Sequence, residues 1–124
     1  MTDDRLTIFK GLKKLLKAYQ PPLTATSDLE GRYELVSKKE VEIAGRKRKE
    51  IYFAAAIVQS NYVGFYFMPV YADPSITRKM PKELMKTLKG KSCFHIKSLD
   101  KQLAAEVADA LKIGFAYYKE QGWV

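Results

Sequence analysis

Two neighbouring segments, Ile51 to Val58 and Tyr62 to Tyr71, carry the densest apolar and aromatic content of this 124-residue chain. Strands that lack polar residues on either face belong at the centre of a sheet, so Glu50 to Gln59 and Tyr62 to Val70 are expected as its central hairpin, turning at Ser60-Asn61. Upstream, Tyr33, Leu35 and Ser37 alternate with Arg32, Glu34 and Val36, and Val41 and Ile43 alternate with Glu40 and Glu42. That period of two marks half-buried strands. Turn chemistry at Asp28-Leu29-Glu30-Gly31 and Ala44-Gly45-Arg46-Lys47 separates them. Short connections between such strands imply an antiparallel meander.

Helices are expected at both ends. Asp3 and Asp4 suit a helix cap, and Ile8, Leu12, Leu15 and Tyr19, widened by Phe9 and Leu16, form a stripe that Pro21-Pro22 ends. Near the other end Asp100 caps a helix whose buried stripe is Leu103, Val107, Leu111, Phe115 and Tyr118, running to Gly122. Gly114 on that stripe implies close approach to the sheet. Asp73-Pro74 starts a helical turn, and Pro81 opens a short helix carrying Leu84, Met85 and Leu88 that Gly90 stops. Ser92 to Ser98 reads as a further strand. The sum is an α+β fold: one domain over residues 1–124, an antiparallel sheet of about five strands, and the N- and C-terminal helices packed on one face.

A hydrophobic content of 47% supports a core without a metal or disulfide staple, and the single cysteine, Cys93, excludes an internal bridge and suits a reducing compartment. Lys10, Lys13, Lys14 and Lys17 interrupt the apolar residues near the start, so neither a signal-peptide core nor a membrane span is expected and the expected location is cytoplasmic. The formal charge of +8 favours anionic partners. It gathers in the first helix, in Arg46-Lys47-Arg48-Lys49, and between Arg78 and Lys91. The second cluster is expected as a solvated hairpin tip, and specific nucleic-acid binding is not expected. Base stacking would need exposed aromatics beside that charge, and Tyr52, the nearest in sequence, is assigned to a core strand.

No catalytic constellation stands out. Cys93 and His95 are two apart on a strand, hence on one face with α-carbons roughly 6.5 Å apart, opposite Phe94 and Ile96. Zinc requires three or four protein ligands, and the chain has no second Cys or His to complete the set. Gly90 between Lys89 and Lys91 lacks the long glycine-rich loop that cradles phosphates. The tyrosines are the stronger constellation. Tyr62, Gly64, Tyr66 and Met68 share one face of the hairpin, with Tyr52 and Tyr71 adding ring surface. Opposite the helices they would line a pocket, with Lys89, Lys91 and His95 supplying positive charge at its rim. The candidate binding residues are therefore Tyr62, Tyr66, Lys89, Lys91 and His95.

From about residue 5 to residue 122 the chain resembles the YdhG-like domains, small bacterial domains of unknown function. The resemblance is carried by Ile51-Tyr52-Phe53-Ala54-Ala55 followed by Val63-Gly64-Phe65-Tyr66, by Lys89-Gly90-Lys91-Ser92 leading into a strand, and by a terminal helix ending in Gly122-Trp123. It implies the α+β architecture above. It also implies a link to frataxin-like iron handling, which uses clustered carboxylates where this chain sets four lysines on its first helix. The leading expectation is a non-catalytic domain that binds a small or anionic ligand without a cofactor. A protein-interaction or self-association module, with a second copy as partner, is the alternative, and iron handling stands third.

Overall fold

The computed structural model describes residues 4–43 and 45–124. Asp3, the first of the two expected capping residues, and Ala44, in the second expected turn, lie outside them. The first helix, α1 (Asp4–Lys17), is followed by β1 (Thr24–Leu29), β2 (Arg32–Ser37), β3 (Val41–Ile43) and β4 (Arg46–Arg48). The central strands are β5 (Ile51–Val58) and β6 (Val63–Phe67). Three short helices come next, α2 (Pro69–Ala72), α3 (Pro74–Lys79) and α4 (Lys82–Met85), then β7 (Leu88–Lys89), β8 (Cys93–Ile96) and the long α5 (Lys101–Glu120).

The main sheet is antiparallel and has six strands in the order β1-β2-β5-β6-β8-β7. As expected, β5 and β6 occupy its middle and α1 and α5 lie on one face. The simple meander does not form. β3 and β4 pair only with each other, an arm projecting from the β2–β5 connection, and β8 inserts between β6 and β7. Leu88 belongs to β7 instead of a helix, and Gly90, with φ +76°, makes the β7–β8 turn where a helix stop was expected. The left-handed backbone at that turn suits glycine.

The sequence period explains the layers. Phe65 and Phe67 on β6, Tyr33 and Leu35 on β2, and Phe94 and Ile96 on β8 all point to the helices and are buried. On β5 the register slips between Leu35 and Val36 of the partner strand: Leu35 lies opposite Ala54 but Val36 opposite Tyr52. Phe53 is thus an extra residue. This bulge lets Ile51 and Phe53 join the core together with Ala54 and Ala56. Phe53 then anchors an aromatic cluster, edge-on to Tyr118 at 5.2 Å, to Phe67 at 5.8 Å and to Phe115 at 6.1 Å.

From α1 the core takes Ile8, Phe9, Leu12 and Leu16, while Leu15 and Tyr19, expected on the stripe, pack at its margin. Asp100 caps α5 by accepting from the Leu103 backbone N–H at 2.8 Å, and Asp73 caps α3 by accepting from Ser75 at 2.9 Å. The Tyr118 hydroxyl donates to the Tyr52 carbonyl at 2.6 Å, and the Ser37 hydroxyl donates to the Trp123 carbonyl at 2.5 Å. These bonds pin the end of α5 to β2 and β5. No helix of the described residues is long and apolar enough to cross a membrane.

Candidate functional site

The sheet face turned away from the helices carries Arg32, Glu34 and Val36 from β2, Tyr52, Ala55 and Ile57 from β5, Gly64 and Tyr66 from β6, and Cys93 and His95 from β8. No helix covers it. Its own side chains cover it instead, because the Tyr66 ring lies so close over Gly64 that a Cβ there would sit 2.7 Å from Tyr66 Cε2. The hydroxyls are engaged. Tyr52 donates to Glu34 Oε1 at 3.0 Å, and the Tyr66 oxygen accepts from Gln59 Nε2 at 3.0 Å. Ser27 donates to Glu34 Oε2 at 2.9 Å and Arg32 to Glu34 Oε1 at 3.1 Å. Burial pulls the Glu34 carboxyl upward, but these three donors outweigh it and hold the group below the usual glutamate range. Burial, then the Glu34 carboxylate, pushes the Tyr52 phenol well above its ordinary value.

Cys93 and His95 share this face, as their spacing predicts, yet each has its own aromatic partner. The Tyr62 ring stacks on His95 with centroids 3.7 Å apart and planes 9° from parallel. Cys93 accepts from the Tyr66 hydroxyl. Burial raises the Cys93 thiol despite that bond, the direction opposite to an activated thiolate. Among the described residues no group of three or more His, Cys, Asp and Glu side chains is placed to hold a metal ion.

The five expected binding residues separate into three places. Tyr62 and Tyr66 lie on the open face, where they support His95 and Cys93. Lys91 points to the opposite end of the sheet, its Nζ 5.5 Å from the centre of the Tyr71 ring. Lys89 and His95 do come together, in a recess of about 260 Å³ at the β7–β8 edge that is also lined by Lys86, Thr87, Lys97 and Ser98. Lys86 is paired with Glu83 at 3.0 Å, whereas Lys89 and Lys97 have no ion-pair partner among the described residues. The recess therefore presents two uncompensated ammonium groups, an imidazole and the Ser98 hydroxyl, the Thr87 hydroxyl donating to the Leu84 carbonyl at 2.7 Å.

Lys97, Thr87 and Ser98 were not expected at the site. The available signal was the cross-strand register: the Thr87 carbonyl accepts the His95 backbone N–H at 2.9 Å, so the residues just before β7 face the later part of β8. Reading Leu88 as helical hid that pairing. Comparison of the chain with protein-family models, curated proteins and solved structures finds no match.

Proposed function

We propose that this protein is a non-catalytic binding domain for a small anion, a phosphate ester or polycarboxylate, held at the β7–β8 edge. The convergence of Lys89, Lys97 and His95 on one recess carries this reading. Ammonium groups attract the charge, and the Ser98 hydroxyl adds short-range hydrogen bonding that discriminates between anions. Stacking on Tyr62 fixes the plane of the His95 ring while leaving its edge available to a ligand oxygen. The volume suits a ligand of a few carbon atoms with one or two anionic groups.

A thermal-shift screen of anionic metabolites tests the reading. A ligand present at a hundred times its dissociation constant contributes about 2.7 kcal/mol, or roughly 10 °C in a domain of this size. That rise is expected to disappear in Lys89→Ala/Lys97→Ala, whose parent side chains are exposed. If no anion raises the melting temperature, or the double variant keeps the full rise, the recess is not the binding site.

A further inference from the structure

The projecting arm places Arg46, Lys47, Arg48 and Lys49 in solvent, and among the described residues none of them is in an ion pair. Alternation along β4 sets Arg46 and Arg48 on one side of the arm, about 6.5 Å apart. That side faces a recess of about 420 Å³, since Arg48 and Ile43, the cross-strand partner of Arg46, both line it. The rest of the lining is aromatic and apolar, with Tyr52, Tyr71 and Trp123 prominent. Glu50 also lines it, but Lys38 neutralises Glu50 at 2.6 Å.

Aromatic rings therefore do stand beside the basic run, Tyr71 exposed and Trp123 half-buried, contributed from far along the chain. Tyr71 is 54% exposed, one of two large apolar side chains left so open among the described residues. Its ring already receives one cation, Lys91 at 5.5 Å. Trp123 is held edge-on by Tyr118 at 5.0 Å and by Tyr117 at 5.6 Å, so its orientation is fixed before any ligand arrives. Charge without rings would attract any polyanion, and rings without charge would serve an apolar partner. Flat rings bordered by cations on a short ribbon match a chain that alternates planar bases with phosphates.

We propose that the β3–β4 arm and the recess at its base form a sequence-tolerant surface for single-stranded nucleic acid. Bases stack on Tyr71 and Trp123, while Arg46, Arg48 and Lys91 neutralise the adjoining phosphates. No groove-reading element is involved, so duplexes bind more weakly than single strands. This surface is separate from the β7–β8 recess, and either can fail without the other.

Titration with an oligothymidylate, followed by the anisotropy of an end label and by tryptophan emission, tests the proposal, because Trp123 is the sole tryptophan of the chain. Binding is expected to quench that emission, and Tyr71→Ala is expected to weaken it at least about fivefold, the low end for losing one stacking ring. Arg48→Ala should reduce the slope of log affinity against log salt by about 0.7, the value for one phosphate contact on a single strand. Lys89→Ala/Lys97→Ala should bind the oligomer as wild type does. The proposal is overturned if inorganic polyphosphate or polyglutamate binds as tightly as the oligomer, if a duplex binds more tightly, or if Tyr71→Ala leaves affinity unchanged. Tyr71 and Arg48 are both exposed, so neither variant threatens the fold.

Discussion

Glu34 is the residue on which the open sheet face depends, because three donors from three strands converge on its carboxylate. Its side chain is only 14% exposed, so losing the charge leaves Tyr52, Ser27 and Arg32 short of an acceptor. Glu34→Gln is expected to destabilise the protein by about 1–3 kcal/mol at neutral pH, measured by urea denaturation. The sign of its pH dependence follows from the lowered carboxyl. A group held below its unfolded value contributes stability above that value and loses it as pH falls through the folded value. The gap between wild type and Glu34→Gln should therefore close as pH drops below about 4.3, the ordinary glutamate value. A gap that persists at pH 3 would show that shape, not charge, is what Glu34 supplies. At this scale the sequence was legible in part: alternation placed Cys93 with His95 and Tyr66 with Tyr62, since a strand's period is local. It could not show that Tyr62 would stack on His95, or that Lys91 would turn to Tyr71, because those choices are made across strands.

Among the elements, α5 is held closest to the sheet where Gly114 meets β6 and the start of α2. A Cβ at that position would sit 2.4 Å from Phe67 Cζ and 2.7 Å from Pro69 Cγ. Neither neighbour can yield, since Phe67 is wedged between Phe53 and Phe65 and Pro69 is a buried ring. Gly114→Ala should cost about 1–3 kcal/mol, the usual penalty of overpacking, even though alanine is the better helix former by about 1 kcal/mol. In a thermal melt this corresponds to a loss of roughly 4 °C or more. Gly11→Ala provides the contrast, because its Cβ would meet only the terminal Cδ2 of Leu99 at 2.8 Å, and that side chain can rotate away. An equal loss in both variants would mean that the packing of α5 is not what Gly114 protects. The close approach of α5 was readable from a glycine on a buried stripe, and the central hairpin from its unbroken apolar content. β7 was not readable, because two residues carry no period and its pairing is settled by β8.

The main sheet presents two edges and one uncovered face to any second copy, and each is defended differently. At the first edge β1 is irregular, its register slipping between Ala25 and Ser27, and Lys13 of α1 reaches over to Asp28 at 2.5 Å. Leu29, 65% exposed at its end, is one of two large apolar side chains so exposed among the described residues. At the second edge β7 is only two residues long and stands among Lys86, Lys89 and Lys91. Bulges, short strands and charge all discourage strand addition, and a net charge of +8 adds repulsion between copies. The open face is closed by its own bonded tyrosines, so pairing two such faces would first require breaking the Glu34 and Gln59 contacts. Sedimentation velocity at physiological salt is accordingly expected to give the mass of one chain from micromolar to about a hundred micromolar protein. Raising salt should not change that result, because screening removes the repulsion but leaves both edges unsuited to pairing. A dimer that forms only at high salt would mean that charge alone keeps the copies apart. One that forms at every salt concentration would assign the tyrosine face to self-association instead.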